Sequence, residues 1–157
     1  MKITALDEYG LRILLRVARA DAEEGISIPQ LSELEGLSVS YVAKLARTLR
    51  EGGLIKSNRG HKGGYVLAKP AREITVNQAL HVLGGTLYDD QAFCGSHAGE
   101  LAFCTNSIDC SLRSLWRMVQ RSVDQLLDKV TLEDLLGDER QSNFIFRQFL
   151  EEDVEAN

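Results

Sequence analysis

From Leu112 the apolar positions of the chain step Leu112, Trp116, Val119, Val123, Leu126, Val130. Steps that alternate four and three mark a helix seam packed against another helix. Leu115 and Leu127 widen the stripe, while Arg113, Arg117, Arg121, Asp124 and Asp128 take the other side. At about 1.5 Å per residue this helix is roughly 30 Å long. A chain of 157 residues has little core to cover both of its ends, whereas a second copy has enough, so the pattern predicts a homodimer.

Earlier segments show the same periodicity over shorter spans. Residues 4 to 20 predict a first helix, with Ile3, Leu6, Ile13, Leu14 and Val17 near helical spacing and Thr4 with Asp7 as a capping box. Leu11 and Leu15 give it a second apolar face, expected to meet a partner chain. Ser27, Pro29 and Gln30 open a second helix that ends near Gly36. Ser38 caps a third, running to about Glu51 before Gly52-Gly53, with Val42, Leu45, Ala46 and Leu49 inward and Lys44, Arg47 and Arg50 outward. Two helices joined by a short Gly-containing turn form a helix-turn-helix pattern.

Leu54 to Ser57 and Tyr65 to Leu67 read as short strands around the tip Asn58-Arg59-Gly60-His61-Lys62-Gly63-Gly64. This is the hairpin of a winged helix. A helix capped by Thr75 follows to about Leu83. Thr131 to Asp134 starts a one-turn helix closed by Gly137, and the last segment, with Phe144, Phe146 and Phe149, is expected as a short helix or a disordered tail.

The fold class is therefore mainly α with a small β-hairpin wing, a winged helix-turn-helix joined to a long dimerisation helix. Its parts are a DNA-binding unit at 1–83, a cysteine loop at 84–110, the dimerisation helix and a short helix at 111–137, and an acidic tail at 138–157.

Charge changes the picture once it is placed along the chain. The net charge of -5 argues against nucleic acid, yet residues 38–72 hold eight Lys or Arg and one acid, Glu51, while residues 131–157 hold eight acids and two Arg. Ser38, Ser40, Tyr41 and Lys44 lie on the first turns of the third helix, where base edges are read. Arg59, His61 and Lys62 place further donors at the wing tip, where Arg59 and Lys62 reach phosphates or a minor groove. The expected ligand is double-stranded operator DNA. A small α/β unit with a solvated basic face is the plainer alternative, because helix-turn-helix patterns arise often by chance.

Cys94, Cys104 and Cys110 share one loop with Gly95, Ser96, His97, Ala98 and Gly99. With no secretory start and no apolar run that spans a bilayer, the expected compartment is the cytoplasm, where three thiols argue against a disulfide framework. Cys110 stands at a helix start, whose dipole favours negative charge. Zinc usually shows paired CxxC spacing, absent here. Three thiolates with one further ligand suit an iron–sulfur cluster, 2Fe–2S or 4Fe–4S. Inert buried thiols are the plain alternative. No phosphate loop, Ser/His/Asp pattern or HExxH points to an enzyme, and no small-molecule substrate is expected.

These residues resemble the IscR/NsrR type of bacterial winged-helix repressors. The matching stretches are Met1 to Thr4 running into Tyr9-Gly10-Leu11-Arg12, Leu37 to Val42, Leu49 to Ile55, and Arg59 to Tyr65. Cys110-Ser111-Leu112 through Trp116 to Leu135 completes the match, so the similarity covers about residues 1 to 136. The resemblance implies a homodimer crossing through the long helix and DNA contact by the third helix and wing. It also implies, in many members, an iron–sulfur cluster on three cysteines that senses cluster supply, iron, nitric oxide or redox state. Two departures stand out. Members usually place five to seven residues between the first two cysteines, against nine here, and the histidine that some use three residues after the last cysteine is Arg113. Other members draw the fourth ligand from an acid near the start of the partner's first helix. Glu8 stands at that place, with Asp7, His97 and Asp109 as substitutes. Two rivals remain: a cluster-free regulator of the same fold, controlled by thiol oxidation or a protein partner, and a small metal-binding or electron-carrying protein.

Overall fold

The computed structural model describes residues 3–58, 63–85, 88–96, 98, 100–101 and 103–155; Arg59, His61, Lys62 and His97 lie outside these, as do the side chains of 90–91 and 150–155. Helix α1 (Ala5–Arg19) begins at the expected capping box. Thr4 Oγ1 accepts from the Asp7 N–H at 3.2 Å and Asp7 Oδ2 accepts from the Thr4 N–H at 2.9 Å. Two orphan donors of the helix start are thereby satisfied. Ser27 and Gln30 repeat the device at α2 (Ile28–Glu35), which Gly36 ends in the left-handed region. Helix α3 (Val39–Glu51) is capped by Ser38 and buries Val42, Leu45, Ala46 and Leu49, the inward face that the periodicity predicts.

Strands β1 (Ile55–Asn58) and β2 (Gly64–Leu67) pair antiparallel, with Ile55 opposite Leu67 and Asn58 opposite Gly64. The Gly64 backbone lies so close to the α1–α2 connection that a Cβ there would stand 2.8 Å from the Ile26 nitrogen. Only glycine allows that approach, and it lets Ile26 bridge Tyr65. After a single 3₁₀ turn (Ala71–Glu73), α4 (Val76–Leu83) starts on a Thr75 cap and ends at Gly84.

Ile13, Leu14, Leu31, Leu45, Leu49, Ile55, Ile74 and Leu132 are fully buried and join α1–α3, the hairpin and the exit of the long helix in one core. Burying each such side chain contributes about 1.5–3 kcal/mol before chain entropy is charged against it. Leu11 and Leu15, expected to meet a partner, are half-buried and pack on the edge of this same core.

The long helix is α6 (Ser111–Lys129). Its C-terminal end is stapled to the start of α4: the Val76 N–H donates to Val130 O at 2.8 Å, the Leu132 N–H donates to Ile74 O at 2.9 Å, and Asn77 Nδ2 donates to Asp128 Oδ1 at 2.9 Å. Yet α6 buries none of its own residues. Leu112 remains 60% exposed and Trp116 40%.

Two elements differ from the sequence expectation. The cysteine loop contains a short helix, α5 (Asp90–Ser96), that carries Cys94. The final segment is a helix of 17 residues, α7 (Glu139–Glu155), longer than expected. Phe146 and Phe149 of α7 line an apolar pocket with Leu126, Leu127 and Val130 of the α6 end. The lower end of the seam is therefore half-buried beside α7 within one chain, while Leu112 and Trp116 at the upper end are exposed.

Candidate nucleic-acid interface and cysteine loop

At the start of α3, Ser38, Ser40 and Lys44 are exposed. The Ser38 hydroxyl caps the helix by accepting from the Tyr41 N–H at 3.3 Å, so it fixes the first turn of α3 as well as facing outward. Tyr41 is half-buried. Its ring meets Tyr9 of α1 edge-on, with centroids 6.0 Å apart and planes at 89°. The Arg12 guanidinium lies 5.5 Å from the Tyr9 ring centroid.

Behind this stack is a charge cluster that sequence reasoning missed. Glu35 of α2, its side chain 2% exposed, receives Arg12 Nε at 2.6 Å and Arg16 Nε at 2.5 Å, one on each carboxylate oxygen. Burial by itself raises the Glu35 pKa, but the hydrogen bonds from Arg16 and Arg12 outweigh it and hold the carboxyl below its ordinary range. The available signal was the i, i+4 pair Arg12 and Arg16 on one side of α1, facing a helix with an acid at its end.

Farther along α3, Arg47 Nε donates to Glu51 Oε1 at 2.7 Å, so part of the outward basic face is neutralised within the helix. At the base of the wing, Asn58 Nδ2 donates to the Glu23 carbonyl, tying β1 to the α1–α2 connection. The tip residues Arg59, His61 and Lys62 lie outside the described residues.

In the cysteine loop all three thiols are free and half-buried. The Cys104 carbonyl accepts from the Ser107 N–H at 3.0 Å. Cys110 is the N-cap residue of α6 in extended conformation, and its carbonyl accepts from the Arg113 N–H at 3.2 Å. Its sulfur makes no capping bond and is left for other chemistry. Arg113 is the residue that departs from the histidine the resemblance implies. Its guanidinium donates to the Ser107 carbonyl at 2.7 Å and so braces the loop.

Of the substitutes for a fourth ligand, Asp7 is buried and occupied by the cap: Oδ2 takes both the N–H and the hydroxyl of Thr4, and Oδ1 faces Gly85. Glu8, the next residue, is exposed, as is Asp109. Among the described residues, no three His, Cys, Asp or Glu side chains converge closely enough to hold a metal ion. By donor chemistry the thiols suit iron. By geometry, this conformation of a single chain does not gather them.

A family model described as "Rrf2: Iron-dependent Transcriptional regulator" matches residues 3–138. The chain is 32% identical over 142 residues to Protein rrf2 of Nitratidesulfovibrio vulgaris, covering 88% of this chain and 89% of that one. It superimposes on T. potens IscR with a TM-score of 0.66 at 32% identity, covering 87% of this chain and 86% of the other. CymR, the global cysteine regulator of B. subtilis, gives a TM-score of 0.66 at 31% identity, covering 87% and 96%.

Proposed function

The chain belongs to the Rrf2 family of DNA-binding transcriptional regulators, and from that premise we propose that it acts as a cytoplasmic homodimer whose cysteine loop senses iron–sulfur cluster status, iron, nitric oxide or redox state. One observation carries the sensing part: Cys110 is both a loop thiol and the N-cap of α6, the helix with the uncovered apolar seam. A chemical change at the loop therefore acts at the start of the dimer helix. Leu112, Leu115 and Trp116 on the first turns of α6 supply the surface for the second copy. Among the described residues no helix is long and apolar enough to cross a membrane, in keeping with a cytoplasmic site of action.

Ser38, Ser40, Tyr41 and Lys44 are the proposed reading residues, with Arg59, His61 and Lys62 at the wing. Cys94, Cys104 and Cys110 would hold the cluster, with the partner subunit's Glu8 as the fourth ligand, since Asp7 is occupied by the Thr4 cap. The cluster would supply a centre that reacts with oxidant, nitric oxide or iron loss. What the chain itself contributes is a braced loop, three unpaired thiols and a rigid joint from α6 to the core.

The separation of the thiols in the single chain favours a second reading, in which they respond directly to oxidation without a cluster. CymR relatives, one of them solved in an oxidised form, make this a concrete alternative. Anaerobic purification separates the two readings. A brown protein that binds promoter DNA supports the cluster, a colourless DNA binder supports direct thiol chemistry, and a brown protein without DNA affinity contradicts both.

A further inference from the structure

The Gln120 side chain, in the middle of α6, sits at a junction of three elements. Its Oε1 accepts from the backbone N–H of Tyr88, at the start of the cysteine loop, at 2.8 Å. Its Nε2 donates to Asp124 Oδ1 at 2.7 Å, one turn further along α6. The same Asp124 oxygen lies 3.8 Å from Nε2 of His81 on α4. An amide is the side-chain group suited to this place, because one end must accept and the other donate. A hydrocarbon serves neither contact, and a carboxylate would meet Asp124 as a like charge.

Contacts continue outward from both ends. On the loop side, the Tyr88 ring packs against Phe93 at 5.4 Å between centroids, and Phe93 is the neighbour of Cys94 on α5. On the DNA side, His81 is followed by Val82. The Val82 methyl groups occupy the space that a Cβ on Gly52 would need, directly at the C-cap of α3. The path from the loop to the end of α3 thus runs through a ring contact, a backbone N–H, an amide and a carboxylate to His81, 3.8 Å away and in charge contact with Asp124 when protonated, with Cys94 next in sequence to Phe93 and Val82 next to His81. Chains of packed side chains and hydrogen bonds of this kind can carry coupling between distant sites.

We propose that Gln120 is a positioning residue for operator binding, which ties the start of the cysteine loop to Asp124 and, through it, to the helix that supports the reading helix. The proposal rests on the sensing role given above to the loop and names the residue through which that role reaches the DNA-reading unit. The two hydrogen bonds of Gln120 go to Tyr88 and Asp124, so its effect is on how one site responds to the other.

The test uses the full-length protein, dithiothreitol-reduced and diamide-oxidised, with two readouts. The first is hydrogen–deuterium exchange of the amides at Tyr88 and through α5. The second is the ratio of operator affinities in the two thiol states, which for coupled sites is about 5–150-fold. Gln120→Leu is expected to speed exchange at the loop start by roughly tenfold or more, leaving α1–α3 unchanged. Its reduced-state affinity is the reference for the ratio, which should fall towards one. Gln120→Glu keeps an acceptor for Tyr88 but loses the donor to Asp124. It should therefore retain loop protection and still lose the ratio, a split that general destabilisation does not produce.

A wild-type ratio in Gln120→Leu overturns the coupling, and unchanged exchange at Tyr88 overturns the tether. A wild-type ratio of one both here and between cluster-loaded and cluster-free protein overturns loop sensing, and the coupling falls with it. Exchange data in that case still show whether Gln120 holds the loop, which keeps the two failures apart.

Discussion

Glu35→Gln is the perturbation whose consequence follows most completely from the geometry. Each carboxylate oxygen of this buried side chain holds a different arginine, at 2.6 Å from Arg12 and 2.5 Å from Arg16. The substitution removes the charge from both bonds and turns an NH2 towards one guanidinium, donor against donor. A hydrogen bond to a charged group contributes about 1.5–3 kcal/mol. Arg12 and Arg16 keep 42% and 38% of their side-chain surface in water, so they recover part of the loss by solvation. The expected penalty is accordingly about 2 kcal/mol at pH 7, below the roughly 3–5 kcal/mol for breaking a fully buried pair.

The pH dependence fixes the sign. The folded-state pKa of Glu35 lies below its ordinary value of 4.5, held there against burial by the two arginines. Stability from the ionised carboxylate is therefore fully present above about pH 4.5 and is lost as pH falls through the depressed folded value. Glutamine cannot ionise, so the gap between wild type and variant should be widest at pH 7 and close in acid. Urea unfolding followed by circular dichroism measures this at several pH values. Protein concentration is held fixed because dimerisation adds to apparent stability. A penalty below about 0.5 kcal/mol at pH 7, the scale of an ordinary surface change, would refute the clamp. So would a penalty that is the same at pH 7 and pH 3.

Three further outcomes are expected. Val123→Asp sets a carboxylate into the seam of both copies, at a desolvation cost of several kcal/mol, and should yield monomers without operator affinity; a dimer of that variant in ultracentrifugation at micromolar concentration would exclude the seam. Lys44→Ala, or the double alanine variant of Arg59 and Lys62, should weaken operator binding and lower the salt slope by about 0.9 for each phosphate no longer neutralised; unchanged affinity and slope would remove that residue or the wing from the DNA-binding surface. Gly64→Ala presses a Cβ onto the Ile26 backbone and should cost about 1–3 kcal/mol, readable as a lower urea midpoint.

The winged helix-turn-helix was legible in the sequence because its elements are locally determined. Thr4 with Asp7, Ser27 with Gln30, and Thr75 are all observed as helix caps, and the inward residues of α3 follow from their spacing. What escaped depends on tertiary contact. Helix α5 is seven residues long, includes Gly95 and has no apolar periodicity to announce it. Phe144, Phe146 and Phe149 mix steps of two and three, so α7 is explained only once Phe146 and Phe149 are seen beside Leu126 and Val130. The Glu35 clamp joins residues 19 and 23 positions apart, a pairing no local rule specifies. At the cysteines, residue type suggests a chemistry, but spacing alone does not fix whether three thiols meet, because that depends on how the loop closes and on a second chain.

The central claim is that the thiol loop governs operator affinity, and titrating operator DNA with the wild type and with the Cys94→Ala, Cys104→Ala and Cys110→Ala variants tests it most directly. All four are prepared anaerobically with ferrous iron and sulfide, then exposed to oxidant. The account predicts a wild type whose affinity changes on exposure, and cysteine variants that hold little or no cluster and whose affinity stays fixed. Variants that respond on DNA as the wild type does would contradict it.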